Sequence, residues 1–150
     1  MPMNENELRT QYAAGQRDFA GADLETAFLR DAELEGADLS RANLMGANLN
    51  RANLKGANLR GANLAPTMLN GIQVRANMRE ANAEGASLAD ANLQEINLVR
   101  GNFHGADFSG ADLTGARLVG ADLRQANLSG AKVTDEQLAE ADSLEGATRP

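Results

Sequence analysis

The chain has 150 residues, a formal net charge of −7, no cysteine and no tryptophan. That composition excludes a disulfide scaffold, a thiolate metal site and a cysteine nucleophile. With 43% hydrophobic but only 3% aromatic residues, one domain-sized core is possible if leucine and alanine fill it.

The first predicted element is a helical cap over residues 1–16. Asn4 and Glu7 have capping-box spacing, Leu8 and Tyr12 fall on one helical face, and Gly15 is placed to end the helix. The opening MPMNENELRTQY is polar and lacks the basic start and apolar run of a secretory signal. No apolar run approaches the roughly 18 residues a membrane span needs. A cytoplasmic protein without membrane association is therefore expected.

Residues 17–133 repeat one five-residue unit, Ala-(Asn/Asp)-Leu-X-X, seen undiluted in ANLMGANLNRANLKGANLRGANL from Ala42 to Leu64. A period of five fits neither a helix nor a flat strand and marks a stack of similar units. Alanine and leucine stand two apart, so in extended backbone they share one face while Asn or Asp between them points outward. The last two positions form a corner. Twelve of the 15 glycines occupy its second position, which is the positive-φ site of a type II turn. Centres on the leucine slot run from Phe19 to Leu69, then Val74, then from Met78 to Val133, giving 24 units, of which the one at 72–75 is a residue short. Pro66, Thr67 and Met68 also depart from the pattern there, so a distorted corner or small bulge is predicted near the middle. Ala83 in a leucine slot is matched by Phe103 one coil later, and Ile96 in an alanine slot is followed by Gly101; these read as packing compensations.

The last segment, 134–150, is predicted as a second helical cap and tail. Thr134 and Gln137 form a second capping-box pair with Leu138 and Ala141 facing inward. Capped ends protect the open coil edges and favour a monomer.

The repeat resembles the pentapeptide-repeat family over about three quarters of the chain. The resemblance implies an all-β solenoid, a right-handed quadrilateral β-helix with four units per coil and hence about six coils, closed by short α-helices.

No catalytic constellation emerges. His104 is the sole histidine, at an outward corner position, and it leaves the serines without a second base. Asp107 and Asp112 belong to successive units, so on a square coil their carboxylates diverge instead of meeting for acid–base work or Ca²⁺. The glycines are accounted for by corners, not by a phosphate loop. No enzyme, cofactor, metal or small-molecule substrate is expected.

Charge is uneven. Residues 1–40 carry −6, residues 41–79 carry +6 through Arg41, Arg51, Lys55, Arg60, Arg75 and Arg79, and residues 80–150 carry −7. Stacking at twenty-residue intervals places Arg41, Arg60, Arg79 and Arg100 along or beside one face, with Val99 and Val119 adjacent, while Phe28 and Met68 point outward on another. Exposed arginine and apolar groups are what interface cores favour. The leading reading is thus a scaffold for an unidentified protein partner. The alternative, implied by the family, is an acidic duplex-DNA mimic that binds DNA gyrase or topoisomerase; the +6 segment opposes it, because a mimic needs negative potential along its length. Direct nucleic-acid binding is not expected, since the basic segment lacks interleaved aromatics. The family's abundance in cyanobacteria suggests a bacterial setting of that kind.

Overall fold

The computed structural model of the chain describes residues 2–150. Its body is a four-faced coil. Each face contributes one outer-slot residue per coil, joined to the next coil by a parallel one-residue bridge. The first face runs Asp18–Asp38–Asn58–Ser87–Asp107–Asn127–Thr148, and the second Asp23–Asn43–Asn63–Asn92–Asp112–Lys132. The third runs Phe28–Asn48–Asn77–Asn97–Arg117, and the fourth Glu33–Asn53–Asn82–Asn102–Asp122–Ser143.

Each element of the five-residue unit has a structural task. Leucine and alanine slots point inward, and among the described residues no polar or charged side chain is buried. Each corner closes through a backbone bond from the next alanine to the preceding leucine, as in Ala47 N to Leu44 O at 3.0 Å. Its second position is left-handed even where no glycine stands, as at Arg51 (φ 58°) and Gln125 (φ 57°). The outer Asn or Asp does more than face solvent. Its side-chain oxygen accepts the N–H two residues on, as from Arg60 to Asn58 at 3.0 Å and from Ser109 to Asp107 at 2.9 Å. That Asx turn pre-shapes the corners that follow Asn or Asp; Phe28, Glu33, Arg117 and Lys132 hold outer slots without it.

The N-terminal helix α1 (Glu5–Ala13) lies across the first coil and buries Leu8. Of the predicted capping box only half forms: the Asn4 side chain accepts from Glu7 N, while the Glu7 carboxylate accepts from the Asn4 side-chain amide instead of its backbone N–H. Carbonyls that would otherwise be unpaired on the first coil find donors here. Asp23 O accepts from Met3 N, Phe28 O and Arg30 O from Arg9, Glu35 O from the Tyr12 hydroxyl, and Asp18 O from Gln16. Five carbonyls of the open edge are thereby paired, which serves the physical requirement for ending such a stack.

At the other end α2 (Asp135–Ala139) has the predicted capping box and buries Leu138. It differs from the expected terminal cap because it replaces only one side of a coil. The Gln137 side-chain amide donates to Leu113 O and Ala116 O, standing in for a backbone N–H of the interrupted coil. The chain then resumes the coil through Ser143 and Thr148, so the tail is paired backbone.

The largest departure lies between Leu64 and Met78. The units centred on Leu69 and Val74 do not form coil faces, and neither a distorted corner nor a small bulge is present. Instead β1 (Thr67–Leu69) and β2 (Ile72–Val74) form an antiparallel hairpin, with Thr67 opposite Val74 and Leu69 opposite Ile72. Asn70 and Gly71 make the turn with φ of 51° and 77°, the two positive values that match the twist of a two-residue hairpin. The coil continues beneath it, since Asn48 bridges directly to Asn77 and Asn63 to Asn92. Twenty-two of the 24 predicted units remain in the coil.

Candidate functional site

Removing two units from a four-faced coil rotates everything downstream by half a coil. Arg41 and Arg60 stand at the corner after the first face, whereas Arg79 and Arg100 stand at the corner after the third. The four do not share a face; they split between diagonally opposite corners. Arg41 and Arg60 line a surface hollow of about 380 Å³ with Ser40, Asn58, Gly61 and Asp90. Val99 and Val119 follow the third face, and Val119 is exposed.

The basic segment is also not a free cationic band. Arg51 makes a bidentate pair with Asp31 at 2.9 and 3.0 Å, Arg60 pairs with Asp90 at 3.1 Å, Arg75 with Glu95 at 3.7 Å, and Arg79 with Glu80 at 3.1 Å. Acids from flanking coils thus interleave with the arginines. Asp107 and Asp112 are turned to their own corners, accepting from Ser109 and Thr114. Among the described residues no cluster of three metal-ligating side chains is present, and no helix is long and apolar enough to cross a membrane.

Four carboxyls are held below the ordinary aspartate range. The Arg51 guanidinium does this at Asp31, the Ser40 hydroxyl at Asp38, the Thr114 hydroxyl at Asp112 and the Arg124 guanidinium at Asp122. Each depressed folded-state pKa gives stability that is present above the unfolded value, about 4, and lost as pH falls through the folded one. Thermal melts should therefore hold level at neutral pH and decline on the acid side. Asn at 38, 112 and 122 keeps the acceptor oxygen but removes the titration, so that triple variant should show a shallower acid decline. An equally steep decline would contradict the assignment.

Phe28 and Met68 lie at the same end of the rod, each lining one of two adjoining hollows. Phe28 is on the third face, 69% exposed, and the hairpin carrying Met68, 63% exposed, leaves the corner between the second and third faces. Sequence reasoning placed Leu69 and Ile72 on the inner side; they are 48% and 69% exposed and pair across the hairpin on the face opposite Met68. The signal for them was Asn70-Gly71 between Thr-Met-Leu and Ile-Gln-Val, the strongest short hairpin pattern. The hairpin base is fixed: Thr67 Oγ1 donates to Glu25 Oε1 at 2.5 Å. A Cβ on Gly46 would stand 2.9 Å from Thr67 Cγ2 and 3.2 Å from Val74 Cγ1, so the two strands sit directly on that corner.

The family profile described as pentapeptide repeats matches eight copies, over residues 18–51, 27–64, 76–115 and 106–142. The chain belongs to the pentapeptide-repeat family. In this pentapeptide-repeat protein the matched stretches leave out 65–75, the segment that holds the hairpin. Among solved structures it is similar to the pentapeptide-repeat protein Rfr23 from the cyanobacterium Cyanothece 51142, at 26% identity over 95% of this chain and 94% of that one, with a TM-score of 0.52. It is also similar to a pentapeptide-repeat protein from Nostoc PCC 7120 (28% identity, 100% and 99% covered, TM-score 0.39). A third is full-length QnrB1, a plasmid-mediated fluoroquinolone resistance protein (19% identity, 89% and 79% covered, TM-score 0.31). No curated protein matches the chain.

Proposed function

We propose that this pentapeptide-repeat protein is a non-enzymatic, monomeric, cytoplasmic scaffold that contacts a protein partner through its hairpin end. One observation carries the reading: an otherwise continuous coil is interrupted by a hairpin that exposes Met68, Leu69 and Ile72, at the end of the rod where Phe28 is also exposed. Clustered large apolar side chains on a surface cost solubility and mark interaction sites. The coil gains nothing from them, since its bridges pass beneath the hairpin. The arginines at opposite corners, several paired with acids, support neither a single basic contact face nor the unbroken negative surface a DNA mimic needs.

The test replaces residues 66–75 by one glycine, which restores the five-residue spacing between Leu64 and Met78. The variant should fold with stability changed by no more than about 1 kcal/mol, because shortening a surface loop has a small entropic effect. In-cell crosslinking of wild type should capture a partner that this variant and Ile72→Asp both lose. The double variant Arg60→Glu/Arg79→Glu should keep it. Loss of the partner in the arginine variant alone would move the contact to the corners.

A further inference from the structure

The hairpin forms one wall of a groove at the N-terminal end of the rod. Two adjoining hollows, of about 390 and 360 Å³, share Pro2, Met3, Glu25 and Thr26; one reaches Phe28 and the other Met68 and Leu69. Three carboxylates line them: Glu5, Asp23 and Glu25. None of these three is in an ion pair among the described residues, whereas Asp31, Glu80, Asp90, Glu95 and Asp122 each hold an arginine. The groove is therefore apolar and anionic together. Its hairpin wall also offers backbone. In a two-residue hairpin the Leu69–Ile72 and Thr67–Val74 pairs exchange the ladder bonds, leaving the N–H and C=O of Met68 on the outer edge of β1. No backbone bond outside the hairpin reaches Met68.

We propose that this groove docks an extended peptide segment of a partner protein in which apolar residues alternate with lysine or arginine. The segment adds a strand to β1 at Met68, seats apolar side chains against Phe28 and Met3, and sets its cations against Glu5, Asp23 and Glu25. Charge selects this occupant over the others. The first 40 residues carry −6, so a second copy of this end, an anionic lipid surface and a nucleic acid are all repelled. The assignment rests on the reading of the hairpin as a contact surface and adds the chemistry of what it contacts.

The experiment is a selection of displayed random dodecapeptides on the immobilised full chain, with the glycine-for-66–75 variant as the counter-target. The expected result is an enriched sequence interleaving apolar residues with at least two lysines or arginines. Its synthetic peptide should bind at least about tenfold more weakly to Glu5→Gln/Asp23→Asn/Glu25→Gln, and its binding to wild type should weaken as salt shortens the range of the attraction, a dependence the variant largely loses. That variant keeps the acceptor oxygens Asp23 and Glu25 use, so its melting temperature should match wild type. Enriched peptides that are acidic or uncharged, that bind the hairpin-less variant equally, or that ignore the triple substitution would overturn the proposal, as would no enrichment. Where crosslinking captures a partner through the hairpin yet the selected peptides are uncharged, the scaffold reading stands and the basic-peptide assignment falls.

Discussion

Phe103→Ala should destabilise the protein by about 3–5 kcal/mol, the usual range for emptying a buried phenylalanine site. Phe103 is fully buried in the leucine slot of the fourth face, in the column Leu54, Ala83, Phe103, Leu123. Its ring meets that of Phe108 edge-to-face at 5.4 Å, an arrangement that adds to simple burial. Ala83, one coil earlier in that column, has no bulk with which to fill the void. The coil walls are tied by backbone bridges on all four faces and cannot collapse inward. Chemical denaturation followed by circular dichroism reads the change, with Phe28→Ala as the control; at 69% exposure it should cost no more than about 0.5 kcal/mol. Comparable effects at the two positions would mean that Phe103 is not packed as described.

Gly101→Ala should destabilise by about 1–3 kcal/mol, the cost of overpacking a filled core, although it restores the alanine that this slot usually holds. The backbone gives no reason for glycine here, since Gly101 lies outside the positive-φ set. On backbone grounds alone, alanine should stabilise by about 0.4–1 kcal/mol through the unfolded state. Space reverses the sign: a Cβ at 101 would fall 2.3 Å from Phe103 Cε2 and 2.8 Å from Cζ. The two positions are therefore coupled, and Gly101→Ala/Phe103→Leu should cost less than the sum of its single changes. A stabilised Gly101→Ala protein would show that the ring does not occupy that space.

The pairing of Ala83 with Phe103 was visible in the sequence as a departure from the repeat; Gly101 was read as compensating Ile96, but the space beside it is taken by the ring of Phe103 in its own unit. The helix caps at Asn4 and Thr134 were equally legible, because a cap is a contact over three residues, although only Thr134 completes the box. What α2 does was not. Gln137 serves two carbonyls at Leu113 and Ala116, more than twenty positions away, and nothing local announces that. The candidate site was half legible. Phe28 and Met68 stood out as apolar residues in the wrong slot, whereas Leu69 and Ile72 fitted the inward slots and so passed as core.

The coil itself was determined by sequence alone. Leucine and alanine two apart, an Asx-forming residue between them and a corner that accepts positive φ leave the backbone one closed path, and all of these are local preferences. Only the tertiary structure decided the phase across 64–78. Fourteen positions separate Leu64 from Met78, and that count is equally three units less one residue or one unit plus nine inserted residues. Local propensity cannot choose between two readings with the same remainder. The choice is made where the coil ends meet their neighbours, at Asn48–Asn77 and Asn63–Asn92. Those long-range bridges are satisfied only if the intervening residues leave the wall. That choice expelled Leu69 and Ile72 to solvent and carried Arg79 and Arg100 to the corner opposite Arg41 and Arg60.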